Sequence, residues 1–70
     1  MIEDYSIDIG LAAGIIYHEL SNKKMNLSTL EKHLHEKGYN TTTVLMALGW
    51  LAREDKVHIC KSNKWSISLK

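Results

Sequence analysis

Seventy residues, 44% hydrophobic and 24% charged, make one small domain (residues 1–70) and exclude wholesale disorder. Nine Lys and Arg against eight Asp and Glu leave a formal charge of +1, short of the basic balance that announces nucleic-acid binding. The single cysteine, Cys60, rules out an internal disulfide framework, and no apolar run approaches the length of a bilayer. A free thiol and no signal-like apolar region fit a reducing cytoplasm.

Met1 to Ser6 reads as a loose lead. Ile7 to Leu20, "IDIGLAAGIIYHEL", is long and apolar enough for a helix, with Ser6 or Asp8 as cap and Ser21-Asn22 as stop. Lys23 to Leu27 alternates Met25 and Leu27 with Lys24 and Asn26, which suits a short strand. Ser28 with Glu31 three residues on is the capping-box pattern, and Gly38 is a natural C-terminal stop. A third helix follows, capped by Asn40 or Thr41, with Val44, Leu45, Ala47, Leu48, Leu51 and Ala52 predicted on its core side. The period then changes from 3.6 to 2. Val57 and Ile59 alternate with His58 and Cys60, then Trp65, Ile67 and Leu69 with Ser66 and Ser68, and Ser62 to Lys64 forms the turn.

Helix, short strand, two helices joined by a Gly-containing turn, then a hairpin is the order of a helix-turn-helix with a wing. The stretches "AGIIYHEL", "STLEKHL", "VLMALGWLARED" and "KVHI" resemble, in that order, a small winged helix-turn-helix family of uncharacterised prokaryotic proteins. The resemblance covers nearly the whole chain. It is most specific from Ala47 to Lys56, with Gly10 and Gly14 matching glycine positions of the first helix. It implies an α+β winged helix-turn-helix fold and homodimers, and no catalytic residues.

The outer side of the third helix is predicted to carry Thr42, Thr43, Met46, Gly49, Trp50 and Arg53. In a DNA-binding helix-turn-helix that side enters the major groove. Thr41, Thr42, Thr43 and Arg53, with Lys61 and Lys64 at the hairpin tip, are then the expected contacts to double-stranded DNA. Yet from Asn40 to Ala52 the chain carries no charge, and Met46 and Trp50 lie one turn apart on that same side. Burying one such side chain against protein is worth roughly 1.5–3 kcal/mol, against about 1 for a typical hydrogen bond. Either these two residues meet a protein neighbour, or Trp50 folds over its own wing and Met46 fills a gap.

The first helix has two apolar stripes. Ile9, Ala12, Ala13, Ile16 and Leu20 suit the core. Ile7, Leu11 and Ile15 lie nearly opposite and, with Gly10 and Gly14 four residues apart, suit the interface of a twofold dimer. The alternative is that this second stripe packs on the hairpin or the lead of the same chain.

His33 and His35 are two apart on a helix and point in different directions. His58 and Cys60 share a strand face but have no second pair at ligand spacing, so no metal site or cofactor is expected. With no phosphate loop, nucleophile motif or convergent polar groups, neither an enzyme nor a small-molecule substrate is expected. Two readings stand: a dimeric DNA-binding transcriptional regulator, placed first on fold analogy, and a homodimeric protein-interaction module that has kept the fold.

Overall fold

The computed structural model describes residues 3–70. Within them α1 spans Ser6–Leu20, β1 Met25–Asn26, α2 Leu27–Glu36, α3 Thr41–Arg53, β2 Val57–Lys61 and β3 Trp65–Leu69. The three strands form one antiparallel sheet in the order β1-β3-β2. Met25 pairs with Ile67, and Ile67 with Ile59, so one row of apolar side chains crosses the sheet and faces the helices. Two helices with a tight connection, followed by a hairpin, give the α+β arrangement expected. Of the lead, Met1 and Ile2 lie outside the described residues.

Local chemistry sets each boundary, and two caps differ from expectation. Helix α1 begins after Tyr5 with no side-chain cap from Ser6 or Asp8. Instead Asp4 Oδ1 accepts from the Ser6 N–H at 2.8 Å, an Asx turn that enters the helix from outside. Helix α2 is capped by Asn26, whose Oδ1 accepts from the Thr29 N–H at 2.8 Å, and the Ser28–Glu31 capping box is not used. The reason is tertiary. Met25 is buried in the sheet and Leu27 packs against the core, so the chain turns into the helix two residues early, and asparagine caps as well as serine. Asn40 caps α3 as expected, accepting from the Thr43 N–H at 2.8 Å.

Helices α2 and α3 end in the same way. Tyr39 N–H donates to Leu34 O and Gly38 N–H to His35 O, both at 3.0 Å, with Gly38 at φ +97. This is the Schellman pattern, for which a residue without Cβ is the easy choice. After α3, Lys56 N–H donates to Leu51 O and Asp55 N–H to Ala52 O, but the left-handed residue is Asp55 at φ +61. Aspartate tolerates that conformation better than most residues. The Asp55 carboxylate is also paired with Lys70, so this turn is tied to the end of the sheet.

Ala12, Ala13, Ile16 and Leu20 of α1 meet Leu30 and Leu34 of α2, five positions of α3, and Met25, Val57 and Ile67 of the sheet. The buried positions of α3 are Thr43, Val44, Ala47, Leu48 and Leu51. At about 100° per residue this arc is centred roughly 30° round from Val44 toward Ala47. That rotation brings Thr43 in and carries Leu45 and Ala52 out, correcting the expected core face, because α3 turns its buried side toward α1. Leu45 is half exposed.

Candidate interaction face

Among the residues expected to touch DNA, Thr41 and Thr42 are exposed at the start of α3, Arg53 in its last turn, Lys61 at the end of β2 and Lys64 in the hairpin turn. The Thr41 hydroxyl is already engaged, 3.0 Å from His35 Nε2 on α2. Thr43 is buried, and its N–H is held by the Asn40 cap, so it is removed from the candidate contacts.

The positions expected at an interface divide differently. Ile7 is 77% exposed and Leu11 55%, whereas Ile15 packs against the core of its own chain. The second stripe of α1 is therefore shorter than expected, and its exposed part lies at the N-terminal end. Gly10 is half buried for an intramolecular reason. A Cβ there would sit 3.5 Å from the Trp50 ring, which lies across α1 and not over the wing. Beside this contact, Gly14, Tyr17 and Lys56 help line a recess of 230 Å³. Trp50 remains 46% exposed and Met46 54%.

A second recess was not foreseen. Leu45 and Gly49 of α3 face Ile59 and Trp65 of the hairpin across an almost wholly apolar groove of 260 Å³, floored by Leu48 and Ile67. Ile59 and Trp65 lie on the helix-facing side of the sheet, yet both are exposed, because the hairpin reaches past the end of the core. Their alternation with His58 and Ser66 was the available signal. The role of Leu45 was hidden because its rotation on α3 depends on α1. Lys61 lies alongside, with Nζ 5.2 Å from the Trp65 ring centroid, a cation–π contact on the groove's wall.

Gly49 has no comparable intramolecular reason. A Cβ placed there meets nothing within 4 Å, and its φ is not in the left-handed region. Glycine at this helix-interior position costs up to about 1 kcal/mol relative to alanine.

Away from this face, His33 Nδ1 donates to Glu19 Oε1 at 2.7 Å, tying α2 to α1. That hydrogen bond holds the Glu19 carboxyl below the usual range. The Lys70 contact does the same for Asp55, and the hydrogen bond from Ser6 for Asp4. His33 and His35 thus take separate partners. His58 and Cys60 are exposed on the outer face of β2. Among the described residues no helix is long and apolar enough to cross a membrane.

The family model for the winged helix-turn-helix domain (DUF2582) matches residues 1–69. The chain belongs to that family. A relative of the same length class, "Uncharacterized protein MJ1608" of Methanocaldococcus jannaschii, is 50% identical over 70 residues, covering 99% of this chain and 100% of the relative. No solved structure gives a significant match. Within the DUF2582 winged helix, α2 and α3 are the helix-turn-helix, α3 stands in the recognition position, and the β2–β3 hairpin is the wing.

Proposed function

We propose that this DUF2582 domain is a homodimeric, cytoplasmic protein-interaction module, without catalytic activity, whose recognition helix and wing engage protein instead of duplex DNA. One observation carries the reading. Leu45 of α3 and Ile59 and Trp65 of the wing stand roughly half exposed around an apolar groove, and Met46 and Trp50 are half exposed further round α3. Each such side chain contributes roughly 1.5–3 kcal/mol when covered by protein. A phosphate-lined groove offers them little.

Electrostatics separates the two readings less sharply. Arg53, Lys61 and Lys64 are the cations of α3 and the wing. Three phosphate contacts per protomer, six per dimer, correspond to a salt slope of about −5.4, at the low end of the six to ten contacts of tight duplex binders. The fold itself keeps a second reading in view, that of a DNA-binding transcriptional regulator. Exposed Thr41 and Thr42 at the start of α3, with Lys61 and Lys64 on the wing, favour it.

The deciding experiment pairs fluorescence anisotropy of a mixed-sequence duplex, at low and near-physiological salt, with sedimentation equilibrium of the protein alone. The interaction reading expects a dimer and no duplex binding at tens of micromolar. Sub-micromolar, steeply salt-dependent DNA binding would establish the second reading instead.

A further inference from the structure

The net charge of +1 conceals two end segments of opposite sign, with mixed charge between them. Residues 1–22 hold four carboxylates, Glu3, Asp4, Asp8 and Glu19, and no Lys or Arg. Residues 56–70 hold four lysines and no carboxylate, and α3 has Arg53 as its one charge. The acidic segment is also where apolar side chains stand furthest into solvent. Tyr5, Ile7 and Leu11 are all exposed, with Ile7 and Leu11 one helical turn apart as a ridge. Asp8, next to Ile7, keeps a carboxylate beside that ridge, and Glu3 accepts from the Tyr5 hydroxyl at 2.6 Å.

The basic end carries the matching surface. The groove between Leu45, Gly49, Ile59 and Trp65 is apolar and unoccupied by the chain's own side chains. Lys61 lies against its wall, over Trp65, and Lys64 follows in the adjoining turn. An occupant that fits must therefore be an aliphatic ridge flanked by carboxylates. Gly49 adds an independent indication, since its missing side chain costs helix stability with no intramolecular return and leaves the α3 side of the groove without a side chain at that position.

We propose that this groove receives the N-terminal end of α1, Glu3 to Leu11, from a second copy of the chain. This rests on the homodimeric reading above and names the surfaces of that dimer. Ile7 and Leu11 enter between α3 and the wing, while Glu3 and Asp8 face Lys61 and Lys64. In a twofold dimer the exchange is reciprocal, so one chemistry is used twice and the assembly closes at two copies. The carboxylates steer encounter and fix orientation, and the aliphatic ridge supplies the burial.

The test uses two charge-reversed full-length chains, Glu3→Lys/Asp8→Lys and Lys61→Glu/Lys64→Glu, studied alone and mixed by sedimentation equilibrium. All four positions are exposed, so each variant is expected to keep the wild-type circular dichroism spectrum. Alone, each sets like charges against each other twice, and its dimer dissociation constant rises about tenfold or more. Mixed, the two chains have complementary contacts at both sites and form a heterodimer near wild-type affinity. Two folded variants that each dimerise like the wild type overturn the proposal while leaving the dimer in place, through some other surface. Failure of the mixture to pair also overturns it. A wild-type chain that stays monomeric at hundreds of micromolar overturns both the groove and the homodimeric reading. Loss of duplex binding on Lys61→Glu/Lys64→Glu, with dimer affinity unchanged, assigns the face to DNA and sinks the proposal.

Discussion

Replacing Gly49 by alanine is expected to raise the stability of the single chain and lower its affinity for a second copy. The position lies inside α3, away from both caps, and the added Cβ has no neighbour within 4 Å. No steric cost offsets the gain in helix propensity, about 0.8–1.0 kcal/mol. For a domain of this size that corresponds to a melting temperature higher by roughly 4–8 °C. The methyl group is added at a residue that lines the groove between α3 and the hairpin. Overpacking a fitted apolar contact costs about 1–3 kcal/mol, so the dimer dissociation constant rises roughly 5- to 150-fold.

The two effects must be read separately, because dimerisation itself raises an apparent melting temperature by mass action. Thermal unfolding followed by circular dichroism belongs at a concentration where sedimentation shows monomer, and the association constant is measured at higher concentration. Gly14→Ala is the control, since its Cβ also meets nothing within 4 Å but lies on α1, outside the groove. It should raise the melting temperature by a similar amount and leave association unchanged. A Gly49→Ala chain that melts higher and dimerises like the wild type would refute the groove as an interface. A chain that melts lower would refute the reasoning about open space.

Loss of the cap in Asn40→Ala is expected to cost about 1 kcal/mol in a urea titration, and Asn40→Ser to recover most of it, since serine also accepts from the third residue of the helix. At Asp55, φ +61 orders the substitutions: alanine should be about 1 kcal/mol less stable than the wild type, and glycine at least as stable despite losing the Lys70 contact. A flat urea midpoint across the three would remove backbone strain from the account of this turn. Asp4, Glu19 and Asp55 all have carboxyl pKa values lowered in the folded chain. Their contribution is therefore present above the ordinary carboxylate range and is lost as pH falls through the lower folded-state values. The urea midpoint should hold from pH 7 to about 5 and drop toward pH 3, and Glu19→Gln should flatten part of that drop.

Most of the fold was legible because its signals are local. The change from a 3.6 to a 2.0 period at Lys56–Val57, the glycine after α2 and the asparagine before α3 each act within a few residues of themselves. The misread boundaries are places where two local signals compete. Asn26 and Ser28 are both good caps, and nothing nearby decides between them. The burial of Met25 against Ile67, forty-two positions away, does. The same holds for α1, where Asp4, Ser6 and Asp8 all offer an oxygen and only the path of the entering chain selects Asp4.

The interaction face was legible in its residue types but not in its partners, for a related reason. A helical wheel fixes the angles between side chains on one helix and leaves the rotation of that helix free. Helix α3 turns enough toward α1 to bury Thr43, expose Leu45 and lay Trp50 across Gly10. Three residues thereby change role with no change in their relative angles. Thr43 leaves the set of candidate DNA contacts, which weakens the polar reading of the helix where it had been strongest. Leu45 moves from the core to the groove, which strengthens the apolar one. Trp50 gains a neighbour within its own chain, so the demand for an external partner shifts from the tryptophan to the groove on the other side of α3, which Gly49 lines and beside which Lys61 lies over Trp65. Charge completes the argument. A total of +1 describes a chain with little attraction for DNA, but residues 1–22 carry four of its eight carboxylates and no Lys or Arg, residues 56–70 carry four of its eight lysines and no Asp or Glu, and these two segments are complementary to each other.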